Sequence, residues 1–295
     1  MDRITRIAFV TIIVGVLVLA LKAGAWALTG SAALFSDALE STVNVAASVI
    51  ALGALRMAAR PADANHPYGH EKAEFFAAVI EGVLIVVAAI TILQHAWITW
   101  STSRTLDQPW VGLGLSLLAT VANGVWGTRL LREGRRHRSV VLVADARHLQ
   151  ADVVSSVAVV AGLVLAIQTG LAWIDPVLAA GVAFYVLWSG FTVLRDSVGG
   201  LMDEAPADAV VQRIRAVVAR DAEGAIEAHD LLTRQAGRVT YLEFHLVVPG
   251  TMSVAEAHTI CDRVEASLKS EIPGLSVTIH VEPDAKAKHQ GVIVV

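Results

Sequence analysis

The chain has 295 residues, of which 55% are hydrophobic and only 17% are charged, and its mean hydropathy is +0.60. This composition is unusual for a soluble protein, and the net charge of −4 without a basic stripe argues against a nucleic-acid partner. The single cysteine, Cys261, rules out a disulfide framework and suits a reducing compartment.

Six stretches in the first two thirds of the chain are long and apolar enough to cross a membrane, which takes about 20 helical residues. In chain order, these spans one to six are Ile7–Leu28, Ala32–Met57, Ala73–Trp100, Trp110–Leu131, Val140–Ile167 and Ala172–Leu194. Span one also resembles a signal peptide, because Ala25-Trp26-Ala27 mimics a cleavage site. The five spans that follow favour a retained membrane helix.

Basic residues flank the spans almost entirely on one side of the membrane. That side carries Arg3, Arg6, Arg56, Arg60, Lys72, Arg129, Arg132, Arg135, Arg136, Arg138 and Arg195. The other side has only Arg104 near a helix end. Because Lys and Arg concentrate in cytoplasmic loops, both termini are predicted to be cytoplasmic. In a bacterial-type cell this predicts a multi-pass protein of the cytoplasmic (inner) membrane.

From Pro206 onward, charged and apolar residues mix as in a globular domain. The order is helix, strand, strand, helix, strand, at Ala209–Ala219, Ala228–Thr233, Val239–Val248, Val254–Leu268 and Leu275–Val281. Gln235-Ala236-Gly237 is predicted to be the hairpin turn between the first two strands. This order predicts a small ferredoxin-like α+β domain (α-β-β-α-β). The predicted domains are therefore residues 1–202 in the membrane and residues 203–295 in the cytoplasm.

Two spans contain clusters of residues that do not belong in contact with lipid. Span two carries Asp37, Glu40 and Asn44, and span five carries Asp145, His148 and Asp152. Ionisable residues cost about 2.5–3.5 kcal/mol each on insertion scales, so they normally face the bundle interior and serve a function. The two segments align as an internal repeat, which predicts polar side chains at matching heights.

Residues four apart share a helix face, so Glu40 projects with Asn44, and His148 with Asp152. Two such helices side by side offer four converging N and O ligands, enough for a metal ion. A polar network between helices is the alternative that either pair alone would leave open. Four other polar residues in the spans occur singly and are assigned to helix–helix hydrogen bonding or to snorkelling: Lys22, Glu81, Gln94 and Asn123.

Two further groups of residues have the side chains of metal ligands. The loop between spans two and three contains Asp63, His66 and His70, held on a path that prolines and Gly69 restrict. A polar loop that happens to be rich in His is the alternative there. In the C-terminal domain, the candidate ligands are His229, His245, His258, His280 and Glu282. His280 and Glu282 share a strand face, and the group predicts a second metal centre that could be binuclear.

Together these features resemble the cation diffusion facilitators, which are proton-coupled exporters of divalent metals, over nearly the whole chain. The resemblance rests on the six spans, the paired polar positions in spans two and five, His66-Pro67-Tyr68-Gly69-His70 followed by Lys72-Ala73-Glu74, and His229-Asp230-Leu231-Leu232-Thr233-Arg234-Gln235. It implies a transporter rather than an enzyme, working as a homodimer in the lipid bilayer. It implies protons and divalent metal ions as partners, and no cofactor beyond transported and regulatory metal ions.

The resemblance also implies which residues bind metal. The transport site would be Glu40, Asn44, His148 and Asp152, supported by Asp37 and Asp145. The loop site would be Asp63, His66 and His70. The cytoplasmic site would be His229, His245, His258, His280 and Glu282. Lys72 and Asp203 match positions that form a charge interlock between the dimer halves.

The transport site departs from the pattern of zinc-moving relatives at two positions. Those relatives usually carry Asp or His in place of Glu40 and Asp in place of Asn44, and at the cytoplasmic site Glu282 replaces a usual Asp. Asn offers only a neutral oxygen, so the site loses one formal charge and gains a ligand suited to harder ions. Zinc, iron, manganese, cobalt and nickel therefore all stay candidates.

The predicted mechanism is alternating access, with His148 and the carboxylates exchanging metal for protons. A membrane-tethered metal sensor that transports nothing is one alternative, and it would make the polar residues of spans two and five dispensable. A membrane metalloenzyme is the other. It would need a ligand set with an open position and a general base, whereas the sequence has no His-Glu-x-x-His motif.

Overall fold

The computed structural model describes residues 3–100, 108–171, 173–289 and 291–293. The chain divides into two compact units, Met1–Val198 and Gly199–Val295. Two positions used above lie outside the described residues: Arg104, and Ala172 at the predicted start of span six.

The first unit consists of long helices, and its last helix runs on into the second unit. Their bounds are α1 Arg3–Thr29, α2 Ala32–Ala58, α3 Ala73–Trp100, α4 Pro109–His137, α5 Val140–Thr169 and α6 Ile174–Leu201. All six are long and apolar enough to cross a membrane, which confirms the predicted six-helix bundle. Helices α4 and α6 extend beyond the predicted spans. In α4 the added turns end in Arg135, Arg136 and His137, and basic side chains there favour the negative end of the helix dipole.

Serine residues set the starts of the two helices that carry the polar clusters. The Ser31 hydroxyl accepts a hydrogen bond from the Leu34 backbone N–H at the start of α2, and the Ser139 hydroxyl accepts one from the Leu142 backbone N–H at the start of α5. Such caps satisfy donors that a helix terminus leaves unpaired. These caps define the first residue of each helix.

The second unit has helices α7 Asp208–Asp221 and α8 Val254–Glu271, and strands β1 Glu227–Ala236, β2 Val239–Val248, β3 Leu275–Pro283 and β4 Val292–Ile293. The sheet order is β3-β2-β1-β4, with β2 antiparallel to β1 and parallel to β3. This confirms the predicted α+β order. Strand β4 was not predicted, because two residues are too short to show a periodic pattern.

The hairpin turn lies two residues later than predicted. Strand β1 continues to Ala236, so the connection is Gly237-Arg238, and Gly237 adopts a positive φ of 55°. Two-residue hairpins favour Gly where φ is positive. The sequence Gln235-Ala236-Gly237 contained the right glycine, but Gln235 and Ala236 pair with Thr240 and Val239 and belong to the ladder.

One face of this sheet is covered and the other carries the histidines. Helices α7 and α8 pack on β2 through an apolar core that includes Ile214, Phe244, Leu246 and Val264. Side chains alternate between faces along a strand, so His245 lies opposite Phe244 and Leu246. Strand pairing then sets the histidines of β1 and β3 beside His245 on that face.

Candidate metal centres

A buried lysine joins helices α1, α2 and α5 at the centre of the bundle. Lys22 Nζ lies 2.8 Å from Asp37 Oδ1, and 2.8 and 2.7 Å from the two carboxylate oxygens of Asp152. All three side chains are almost completely buried. A charge buried without a partner is very costly, so these ion pairs hold the three helices together.

Glu40 completes a group of carboxylates around this lysine. Oxygens of Asp37, Glu40 and Asp152 all lie within 4.8 Å of one another. With every carboxylate ionised, three negative charges face one ammonium group and leave two negative charges unbalanced. A divalent cation would balance that excess. Lys22 and Asp37 therefore change the charge argument made from Asn44 alone, since Asp37 supplies the negative charge that Asn44 lacks.

Helices α2 and α5 run antiparallel, and their hydrogen bonds give the register between them. The pairs, in order along α2, are Asp37 with Ser156 (2.6 Å), Glu40 with Ser155 (3.3 Å) and Ser48 with Asp145 (3.4 Å). Residue numbers fall along α5 as they rise along α2. Asn44 lies between the second and third pairs, so this register places it at the level of His148.

Asn44 and His148 are buried and have unused hydrogen-bonding capacity. Neither amide atom of Asn44 and neither ring nitrogen of His148 has a hydrogen-bond partner among the described residues. Buried polar atoms are nearly always paired in folded proteins. Among these atoms, the Asn44 amide oxygen and one ring nitrogen of His148 are possible metal ligands, one helical turn from the group formed by Asp37, Glu40 and Asp152. The residues present therefore fit a divalent metal.

The four predicted transport ligands thus occupy two neighbouring levels, Glu40 with Asp152 and Asn44 with His148. Asp37 joins the first level, whereas Asp145 lies beyond the second, beside Ser48. The predicted matching heights therefore hold only for the middle of the repeat. Because the helices are antiparallel, Asp37 and Asp145, which correspond in sequence, lie at opposite ends of the cluster.

Two residues assigned to ordinary helix contacts lie at this site. Asn123 on α4 donates a hydrogen bond through Nδ2 to Asp152 Oδ2, the same oxygen that Lys22 contacts. Both residues do hydrogen-bond between helices, but Lys22 does not snorkel to water, because its side chain is completely buried. The sequence signal was a lysine deep inside an apolar span, where charge is expensive and normally functional.

The loop between α2 and α3 brings its three candidate ligands together. Asp63 Oδ1 lies 3.2 Å from His66 Nδ1, Asp63 Oδ2 lies 3.4 Å from His70 Nε2, and the two imidazole centroids are 4.4 Å apart. The Asp63 carboxylate also accepts hydrogen bonds from the backbone N–H groups of Asn65 and His66. The His66 N–H group above all holds the pKa of Asp63 below its ordinary value, which keeps the carboxylate ionised and able to bind a cation.

Three histidines form a row across the open face of the C-terminal sheet. His229 pairs with His245 between β1 and β2, and His245 pairs with His280 between β2 and β3. The ring centroids are 5.3 and 4.9 Å apart. Glu282 lies along this row, with Oε2 3.3 Å from His229 Nε2 and 3.5 Å from His245 Nδ1. His229, His245 and Glu282 meet the distance requirement for one shared ion.

The other two histidines of this prediction differ in position. His280 Nε2 lies 3.8 Å from Glu282 Oε1, at the edge of the row. His258 is not brought to the row, because it lies on α8, which covers the opposite face of the sheet. Its side chain is exposed, and its Nε2 lies 3.7 Å from Asp262 Oδ1 on the next turn of the helix.

Glu227, which the sequence did not single out, supports the row. Its Oε1 lies 3.0 Å from His229 Nδ1, and its carboxylate accepts hydrogen bonds from the backbone N–H groups of Lys288 and His289. The Lys288 N–H group is the main reason that the pKa of Glu227 lies below its ordinary value. Lys288 Nζ also lies 2.5 Å from Asp230 Oδ2. The Glu227 carboxylate therefore links the segment at Lys288 and His289 to the candidate ligand His229.

Lys72 and Asp203, predicted to form a charge interlock, lie in different parts of the chain. Lys72 directly precedes α3. Asp203 follows α6, has a positive φ of 62°, and its Oδ1 lies 3.2 Å from Arg234 Nη1 on β1. The interlock stays a prediction.

Two family models match the chain, one to each part. The model described as the cation efflux transmembrane domain matches residues 8–202. The model described as the cytoplasmic domain of the cation efflux protein matches residues 206–284. The first match alone covers well over half of the chain.

Relatives match over most of their own length. The chain is 43% identical over 263 residues to the Synechocystis protein named uncharacterized transporter sll1263, covering 89% of this chain and 85% of that protein. It is 32% identical to the cation-efflux pump FieF of Yersinia pestis (90% and 88% covered) and 31% identical to FieF of Citrobacter koseri (98% and 95% covered). A solved structure described as the zinc form of the transporter CzrB is 47% identical, with a TM-score of 0.27, and covers 30% of this chain and 99% of that one.

Proposed function

Because the chain belongs to the cation diffusion facilitator family, we propose that it exports divalent metal ions from the cytoplasm in exchange for protons. It is a multi-pass membrane protein of a cation-efflux family, and that membership makes it a transporter rather than an enzyme. In the proposal both termini lie in the cytoplasm and metal crosses by alternating access. The bias of basic residues toward one side supports this orientation.

The observation that carries the proposal is the buried group around Lys22. Three carboxylates lie within ligand distance of one another, with one ammonium group between them and an unpaired amide and imidazole one turn away. A purely structural polar network would be expected to satisfy its own members. Unpaired ligand atoms, and the excess of two negative charges that full ionisation of the carboxylates would leave, instead fit a dication that binds and is released.

Proton exchange follows from the chemistry of these ligands. A carboxylate binds metal only when ionised and an imidazole only when neutral. In the proposed cycle, metal from the cytoplasm binds Glu40, Asn44, His148 and Asp152, and the three titratable ligands among them, Glu40, His148 and Asp152, lose their protons. After the bundle opens outward, protons from the more acidic side occupy Glu40, His148 and Asp152 and release the metal.

Lys22 adds a competing cation to this cycle. Its ammonium group contacts both oxygens of Asp152. A metal ion that takes an Asp152 oxygen has to displace one of these contacts, while Asp37 keeps the lysine within the bundle. Such exchange keeps the affinity moderate, which release on the far side requires.

The oxygen-rich ligand set supports a broad range of metals. Carboxylate and amide oxygens suit manganese and iron, whereas the imidazole of His148 suits zinc, cobalt and nickel as well. The C-terminal unit is proposed to pair with that of a second copy and to respond to cytoplasmic metal. The match of residues 206–284 to the family's cytoplasmic domain supports that pairing.

The function can be tested with purified protein in liposomes under an imposed pH gradient. Wild type should move zinc or manganese, and Asp152→Ala should abolish the flux, because that substitution removes a ligand and leaves Lys22 without its main partner. Asp196→Ala is the matched control, since Asp196 lies on the surface of α6 and pairs with Arg147. Undiminished flux in Asp152→Ala would refute the transport site. If cells that carry Glu40 or His148 variants tolerate metal as well as cells with the wild type, the protein is better explained as a membrane-tethered metal sensor.

A further inference from the structure

A second group of buried carboxylates lies beyond Asn44 and His148, outside the transport site. Glu81 on α3 and Asp145 on α5 are each only 1% exposed, and Ser48 on α2 is 3% exposed. Ser48 Oγ donates to Asp145, at 3.4 and 3.5 Å from its two oxygens. Neither oxygen of Glu81 has a hydrogen-bond partner among the residues that the structure describes.

Helix packing brings Glu81 and Asp145 to one level. Helices α3 and α5 run parallel, since Ser139 Oγ donates to Glu74 Oε2 at 2.6 Å and Ala78 packs against Ala144 one turn further along. Glu81 lies three residues after Ala78 and Asp145 lies directly after Ala144, so the two carboxylates lie near the same level of the bundle, where their charges interact. Ser48 of α2 thus contacts Asp145 of α5, and Glu81 of α3 is buried near their level.

This group has no positive charge of its own, unlike the transport site. Neither Glu81 nor Asp145 forms an ion pair with a Lys or Arg among the described side chains. Two buried carboxylates side by side are strongly unfavourable unless a cation or a proton sits with them. Oxygen donors of this kind are those that hard divalent cations prefer.

We propose that Glu81, Asp145 and Ser48 form a second cation station, at which a divalent metal ion rests on its way to the transport site. It lies one helical turn from Asn44 and His148, toward the end of α2 and the starts of α3 and α5, where the loop site also lies. This inference rests on the proposed function, which makes that side cytoplasmic. At this station, oxygen atoms of the protein replace some of the water molecules bound to the ion. The ion then reaches the imidazole of His148 already partly dehydrated.

The first test labels buried carboxyl groups with dicyclohexylcarbodiimide in the full-length protein and locates the label by mass spectrometry. Mn²⁺ should protect Glu81 from labelling, and it should still do so in Asp152→Asn, where the transport site is disabled. Glu74 is the matched control, because it is buried on the same helix and already bonded to Ser139. Mn²⁺ should not change its labelling. Loss of Glu81 protection in Asp152→Asn would overturn the independent station.

The second test measures initial transport rates against the Mn²⁺ concentration on the loop side. Glu81→Gln keeps the shape of the side chain and should raise the half-saturating concentration by about tenfold or more, because even changes to the outer partners of metal ligands typically cost 10–100-fold in affinity. The maximal rate should stay within about twofold of wild type. Ser48→Ala should show a smaller shift in the same direction. An unchanged half-saturating concentration in Glu81→Gln would overturn the proposal, whether or not the label reaches Glu81.

The outcomes separate this inference from the function on which it rests. If wild type moves no metal, the proposed function fails. If wild type transports and Glu81→Gln behaves identically, only the second station fails. If Glu81→Gln loses the acceleration by a pH gradient but keeps its dependence on Mn²⁺, the pair carries a proton and not a metal ion, and the station as proposed is refuted.

Discussion

At the scale of single residues, Lys22 determines the electrostatics of the bundle. Its ammonium group contacts two aspartates from different helices while it is shielded from water. A lysine so placed serves two purposes that oppose each other. It stabilises the metal-free bundle, and it competes with metal for Asp152. Removing the charge of Lys22 separates the two effects, because the stability without metal should fall while the stabilisation by metal should rise.

Replacing Lys22 with Met should destabilise the metal-free protein and increase its stabilisation by metal. Breaking a buried ion pair by removing one partner costs about 3–5 kcal/mol, and here two carboxylates lose their counter-charge. A dication then supplies the missing charge. Thermal unfolding in detergent, with and without Mn²⁺, should show a lower midpoint without metal and a larger metal-induced rise than wild type. Lys269→Met, which removes an exposed pair with Glu265, should change neither; an equal metal-induced rise would contradict the competition.

Asn44 should set the choice of metal. Its amide replaces a carboxylate that zinc-moving relatives usually carry, and Asp37 already provides a further negative charge nearby. Asn44→Asp should therefore shift transport toward zinc relative to manganese and iron, since zinc favours N, S and carboxylate ligands. A panel of metals in the same vesicles gives the ratio of rates for each variant. If the ratios are the same in Asn44→Asp and wild type, Asn44 does not control selectivity.

At the scale of helices and strands, the sequence predicted positions along the chain better than contacts across it. Apolar length located all six membrane helices, and spacing of four predicted that Glu40 projects with Asn44. Nothing in the local pattern shows that α1 turns Lys22 toward Asp152, or that α3 carries Glu81 at the level of Asp145. Those contacts depend on the rotation and register of neighbouring helices, which the packing of the whole bundle determines.

In the strands too, the sequence pattern predicted which side chains share a face but not which residues pair between strands. Alternation along β3 predicted that His280 and Glu282 share a face, and they do. The alignment of His229, His245 and His280 in one row depends on strand register, which involves residues far apart in sequence. Strand β1 also has an irregularity between His229 and Leu232, where Asp230 adopts a positive φ of 52°. This bulge directs Asp230 toward Lys288 and could not be foreseen from alternation.

Glu227 should orient His229 for metal binding. When Nδ1 donates its proton to the Glu227 carboxylate, Nε2 keeps a free electron pair for the metal. Mutation of a carboxylate that orients a metal-binding histidine typically lowers metal affinity about 10–100-fold. Glu227→Gln should therefore weaken Zn²⁺ binding to the C-terminal unit by about that factor, as measured by calorimetry on the full-length protein with Asp63, His66 and His70 replaced by Ala. Glu243→Gln, an exposed change on β2, is the control. If Glu227→Gln and wild type bind Zn²⁺ with equal affinity, Glu227 serves only to bind the backbone of Lys288 and His289.

At the scale of the whole molecule, the candidate sites differ in exposure in a way that suits different tasks. The bundle site and the proposed station are buried, so an ion bound there can leave only when the helices move. The loop site is largely exposed, and the histidine row is partly exposed at His245 and Glu282 while His229 is buried, so an ion at either place can exchange with solvent more readily than one inside the bundle. Buried sites suit transport and exposed sites suit sensing, which is how a single chain could adjust export to the metal that it removes.

The exposed His258 makes this division testable through self-association. Within one chain His258 lies away from the row, with an exposed side chain, and we predict that in a pair of chains it completes the coordination of an ion held by the second copy. Zn²⁺ should therefore strengthen the association of the fragment Pro206–Val295, which has its own apolar core, and His258→Ala should remove much of that effect. Sedimentation velocity with and without Zn²⁺ measures it, and Glu265→Ala on the same helix serves as the control. If Zn²⁺ leaves the association of the wild-type fragment unchanged, metal does not regulate this protein by tightening its dimer, and the histidine row needs another role.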